Sequence, residues 1–160
     1  MRKGEFRRFM NQLKSIRYYE LKKFIKWTFL FLWLSFIFYM SNQTGTTSSG
    51  MSDGIFHSMC KILPILENGK EIVIVLIRKS AHVLEYVILG VLTLEVVKEY
   101  TNDIKKTTII SLLLCLLFAL LDEFHQLFLV GRAGKITDVL IDSIGYVSAI
   151  CFFYFLRKNK

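Results

Sequence analysis

Ile72-Val73-Ile74-Val75-Leu76-Ile77-Arg78-Lys79-Ser80-Ala81-His82-Val83-Leu84-Glu85-Tyr86-Val87-Ile88-Leu89-Gly90-Val91-Leu92 is an apolar run with charge set into its middle. A helix rises about 1.5 Å per residue, so a segment from Ile72 to Val97 is long enough to cross a hydrocarbon layer of roughly 30 Å. Arg78, Lys79 and Glu85 each cost on the order of 3 kcal/mol at the centre of such a helix, while each flanking apolar residue returns only about 0.3 to 0.6 kcal/mol. The two sums roughly cancel. Such a helix needs opposite charges on its neighbours or an opening to water. Arg78, His82 and Glu85 recur at helical spacing and share one face, with Lys79 and Tyr86 flanking it.

The rest of the chain is built to accept that helix. Its 160 residues are 53% hydrophobic with a mean hydropathy of +0.43, and the apolar residues lie in long runs, as membrane spans require. Three more spans are expected, over Phe24 to Met40, Thr107 to Phe128 and Ile136 to Leu156. The expected fold class is therefore all-α, a polytopic bundle of four transmembrane helices. Net charge is +8, but much of the excess sits in the first 26 residues and at the C-terminus. Positive-inside retention explains that placement, and nucleic acid is not an expected partner. Lys/Arg-rich ends and a basic 98–106 connection assign both termini to the cytoplasm of a multi-pass protein.

Residues 1–23 read as a basic amphipathic juxtamembrane segment, suited to anionic lipid headgroups, ahead of a membrane domain over 24–157. Ser41 to Gly50 reads as a polar loop, and 51–71 as a loop with a short helix. Cys60, Cys115 and Cys151 form no CxxC pair, so neither a disulfide framework nor a thiolate metal site is expected.

With this topology, helical rise sets depth. Arg78 lies about 9 Å in from the outer face and Glu85 about 20 Å in. Asp122-Glu123-Phe124-His125-Gln126 occupies the outer half of the third span, and Asp138 and Asp142 open the fourth, sharing a face with Gly145. Ser41 and Gln43 lie at the outer mouth of the first. Polar residues of separate helices thus meet at one level. Ionisable groups at such depth mark function more readily than packing, because an apolar interface with small residues joins helices at less cost.

The ordered set of motifs resembles the VanZ-like family of small bacterial membrane proteins. The residues that carry the likeness are Arg78, Lys79, His82, Glu85 and Tyr86; Asp122, Glu123, His125 and Gln126; Gly131 and Arg132; Asp138, Asp142 and Gly145. Ser41 and Gln43 match the end of the family's first span, and the likeness covers roughly residues 30–155. It implies residence in the bacterial cytoplasmic membrane and an association with low-level resistance to the glycopeptide teicoplanin. It names no cofactor.

The chemistry open to these residues is anion handling. Arg78, Lys79 and Arg132 suit a phosphate or pyrophosphate, since a guanidinium donates two parallel hydrogen bonds. His82 or His125 would move protons beside Glu85, Asp122 or Glu123, the candidate catalytic set. Arg78, Lys79, Tyr86, Gln126, Arg132, Asp138, Asp142, Ser41 and Gln43 form the candidate binding set. The expected partners are membrane lipids or a lipid-linked cell-wall precursor. A non-enzymatic shield for a glycopeptide or its lipid target uses the same residues. A metal-dependent hydrolase is the weaker alternative, because the histidine spacing is not HExxH; no metal ligands are assigned.

Overall fold

The structure is a computed structural model that describes residues 3–43, 45–63, 69–129 and 134–158. Among them are five helices: α1 (Lys3–Ser41), α2 (Gly45–Cys60), α3 (Lys70–Val97), α4 (Ile104–Gln126) and α5 (Ile136–Lys158). No strand is present among the described residues, so the all-α expectation holds. Three of these helices are long and apolar enough to cross a membrane: α1 over Met10–Ser41, α4 and α5.

Helix α3 is the hub. It packs on α5 most extensively and also on α4, α1 and α2. The reason lies in two glycines. A Cβ on Gly145 would sit 2.3 Å from the Val83 carbonyl oxygen, and one on Gly90 would sit 3.1 Å from Tyr146 Cα. Bare backbone at these points lets α3 and α5 touch directly, the device that joins helices where water drives nothing together. Around the crossing, Tyr86, Leu89, Cys115, Ala119 and Ile150 are fully buried. Lys79 faces Asp138, and Tyr86 faces Gly145, so α3 and α5 run in parallel; α4 returns between them.

Helix α1 runs opposite to α3. Its Lys26 ammonium meets Glu95 at 3.1 Å and Glu99 at 2.5 Å, and Trp27 Nε1 donates to the Tyr100 hydroxyl at 2.8 Å. Lys98 pairs with Glu95 and covers the Phe153 ring. The 98–103 turn, the middle of α1 and the end of α5 therefore gather at one end of the bundle. Asp103 starts α4 as an N-cap, accepting from the Lys105 and Lys106 amides. The Lys26 ammonium holds the Glu99 carboxyl below its ordinary range, so this contribution is present at neutral pH and lost on acidification. Lys26→Met is expected to cost about 1 kcal/mol or less, because the pairs are partly exposed. A small drop in the unfolding midpoint of the detergent-solubilised protein checks this.

One sequence expectation changes. Residues 45–60 are helical, whereas Ser41 to Gly50 reads as loop and 51–71 as loop with a short helix. Ser52, Phe56 and Cys60 recur every fourth residue and are buried, and tertiary packing of that stripe outweighs weak local propensity. Asp53 pairs with Lys70 at 2.9 Å, which ties α2 to the start of α3 and holds the Asp53 carboxyl below its usual range. Helix α1 passes without a break through residues 23 and 24.

Candidate functional site

At the bundle end away from the 98–103 turn, the polar residues converge. Helical spacing puts His82 and Glu85 on the face of α3 that meets α5, and Asp142 comes from the first turns of α5. His82 Nδ1 lies 3.8 Å from both Glu85 Oε2 and Asp142 Oδ1. An imidazole between two carboxylates can hold or pass a proton with either neighbour. Trp33 Nε1 donates to the Glu85 carbonyl oxygen at 3.0 Å, fixing α1 against α3 at this level.

A second set joins α1 to α4. Gln126 Nε2 donates to Ser41 Oγ at 2.9 Å and to Asp122 Oδ2 at 3.1 Å. Asp122 and Asp142 are each only 1% exposed. Between the two sets stands Tyr86, fully buried, with Asp122, Asp142, Glu123 and Glu85 all in electrostatic range of its hydroxyl. The Tyr86 hydroxyl, Asp122 Oδ1, Asp142 Oδ1 and His125 Nδ1 are buried without a hydrogen-bond partner among the described residues. Native interiors pair almost all such atoms, so a gathering of them is a place where a ligand or water belongs.

Lys79 and Asp138 form the rim, 3.7 Å apart and well exposed. Arg78 faces another way. It lines a cavity of about 150 Å³ with His82, Glu85, Ala81 and Ile77 of α3, Met40 of α1, and Met51, Ser52 and Ile55 of α2. The cavity thus couples a guanidinium to the histidine–carboxylate set.

Two of the expected residues, Glu123 and His125, also make contacts outward from this centre. Glu123 Oε2 accepts from the Lys135 amide at 2.7 Å, and a Cβ on Gly134 would lie 2.4 Å from the Glu123 carbonyl oxygen. Glu123 therefore ties down the chain entering α5. Glu123→Ala is expected to raise amide exchange around Lys135 while leaving the α3–α5 contact intact, which hydrogen-exchange mass spectrometry reads directly. His125 packs edge-on against Phe38, with ring centroids 5.8 Å apart. Gln43 lies just past the end of α1. Gly131 and Arg132 lie outside the described residues.

The sequence reading missed the cavity's second wall. Met51, Ser52 and Ile55 belong to a stretch without obvious chemistry, and only the four-residue recurrence of Met51 with Ile55 and of Ser52 with Phe56 hints at a helix. It also missed a deeper seam of Thr93, Ser111 and Cys115, all fully buried between α3 and α4. Among the described residues, no three His, Cys, Asp or Glu side chains are grouped closely enough to hold a metal ion.

No curated protein and no solved structure gives a significant match to the chain. The family model described as VanZ/LLP1 matches residues 26–157. That match takes in the whole charged face of α3, the acidic end of α4 and the aspartates of α5, and the chain belongs to the VanZ/LLP1 family.

Proposed function

We propose that the chain is a four-span protein of the bacterial cytoplasmic membrane, with both termini in the cytoplasm and α3 as the additional span. Its polar chamber opens outward and binds or modifies a phosphate-bearing lipid or lipid-linked cell-wall precursor. The family's association with teicoplanin resistance supports a role in how a glycopeptide meets the envelope. The observation that carries the reading is the cavity in which Arg78 stands beside His82 and Glu85, backed by the buried Asp142. A guanidinium matches a phosphate, and the adjoining histidine–carboxylate set supplies a proton donor and acceptor. Placing such groups in a lipid-embedded bundle costs several kcal/mol and is retained where function needs it.

A binder without turnover is the second reading, favoured by the 3.8 Å separations around His82, which are looser than hydrogen bonds. Alanine at His82 separates the two. A catalyst keeps its lipid and loses turnover by about 10² or more, whereas a binder loses affinity in step with activity. Alanine at His125 and Glu123 extends the test to residues beside the centre. If all three variants are made normally and keep full glycopeptide tolerance in cells, the chamber has no role. Topology is tested by cysteines at positions 50 and 102 in a background lacking Cys60, Cys115 and Cys151. An impermeant thiol reagent added to intact cells should label the first and spare the second. The reverse pattern would turn the chamber toward the cytoplasm.

A further inference from the structure

Helix α2 has two faces of different use. Ser52, Phe56 and Cys60 bury against α3, whereas Met51, Ile55 and Met59 remain 42%, 52% and 38% exposed. An open apolar groove runs along this outer face, lined by Met51, Gly54, Ile55, Ser58, Met59 and Ile62. Gly54 forms its floor, since a Cβ there would meet no atom within 4 Å. Met51 and Ile55 also wall the cavity that ends on Arg78, so the two spaces meet at those side chains.

We infer that the α2 groove holds the hydrocarbon tail of the phosphate-bearing lipid whose headgroup occupies the Arg78 cavity. The inference rests on the phosphate-lipid reading above and specifies its substrate as an amphiphile engaged at both ends. The charge distribution supports it. The cavity of about 150 Å³ has Arg78, His82 and Glu85 in its lining, groups that suit a phosphate, whereas the α2 groove is lined by no charged side chain among the described residues. Met51 and Ile55, shared by the two linings, put an apolar path next to that headgroup site. Methionines suit such a path, being unbranched and adaptable to a flexible chain. Ser58 does not disturb it, because its hydroxyl is turned back to the Gly54 carbonyl oxygen at 3.0 Å. The Asp53–Lys70 pair holds α2 in place over the start of α3.

The test uses two photoreactive lipids with the same diazirine-bearing acyl chain, phosphatidic acid and diacylglycerol. Each is presented to the full chain in dodecyl maltoside micelles, which carry no phosphate. The phosphate probe is expected to label Met51 to Ile62 on the order of tenfold more than the neutral one. Gly54→Trp, whose Cβ would meet no atom within 4 Å, places an indole in the groove and should cut that difference by a similar factor. Ser58→Phe, one turn further on, does the same if Gly54→Trp cannot be recovered folded. Equal labelling by the two probes would mean ordinary lipid solvation of α2 and would overturn the inference, as would phosphate-dependent labelling that neither blocker reduces. Phosphate-dependent labelling elsewhere on the chain but not on α2 would remove the tail site and leave the lipid reading standing. Absence of any phosphate-dependent labelling would remove both.

Discussion

Gly145→Leu is expected to eliminate the folded protein, and Gly145→Ala to destabilise it by about 3 kcal/mol. The added Cβ would lie 2.3 Å from the Val83 carbonyl oxygen, 3.0 Å from the Val87 amide nitrogen and 3.1 Å from Tyr86 Cβ. Two of those neighbours are backbone, so no side-chain rotation relieves the clash and the two helices must separate. Separation opens the contact on which α3 and α5 are joined and displaces Asp142 from His82. Overpacking of a tight core typically costs about 1 to 3 kcal/mol, and rigid neighbours put this case at the upper end or beyond it. Against a total stability of roughly 5 to 15 kcal/mol, a leucine exceeds what the fold can absorb. The control is Gly50→Ala in α2, where a Cβ meets nothing within 4 Å. Helix propensity alone makes that change neutral or stabilising by up to about 1 kcal/mol. Thermal unfolding of the purified variants in detergent provides the comparison. Equal stability for Gly145→Ala and the unaltered protein would show that the α3–α5 crossing is not as tight as described.

Asp142→Asn should separate function from folding. Were Asp142 a structural partner in a buried ion-pair network, its neutralisation would cost about 3 to 5 kcal/mol, as breaking such pairs does. Its surroundings argue for the opposite sign. Asp122, Glu123, Asp138 and Glu85 all act on it with like charge. Asparagine keeps its shape and removes the charge, so stability is expected to stay level or rise, while lipid-dependent activity or binding falls by at least about tenfold. Gain of stability with loss of function is the mark of a site held under strain for its chemistry. Asp142→Asn and His82→Ala should also combine less than additively, since the two groups face each other at 3.8 Å. A variant that unfolds several degrees early yet keeps full function would make Asp142 a packing residue.

Much of the architecture was legible before any coordinates. The long apolar runs located α1, α4 and α5, because a span must be apolar over its whole length and leaves that mark in composition. The i, i+4, i+7 spacing of Arg78, His82 and Glu85 gave the polar face of α3, and the same spacing of Asp138, Asp142 and Gly145 gave its complement on α5. Helix α2 was expected only as a short helix within 51–71, and its full extent from Gly45 escaped notice for a physical reason. Its Ser, Thr and Gly residues have weak helical preference, and what holds it is Phe56, Ser52 and Cys60 burying against α3, a contact distant in sequence. Neither did spacing reveal that Glu123 would spend its carboxylate on the Lys135 amide, or that His125 would turn to Phe38. Adjacent residues on one helix point to different neighbours, and only the neighbours' positions decide what each one meets.

By itself, then, the chain's order of residues determined which segments are long apolar helices and that α3 carries a charged face in need of partners. Those properties follow from local periodicity and from the cost of burying charge. The tertiary structure decided which acids face His82, that Arg78 opens toward α2 instead of α5, and that a glycine-lined crossing brings the aspartates of α5 within reach. These are matters of distance between separate helices, which periodicity along one helix does not contain.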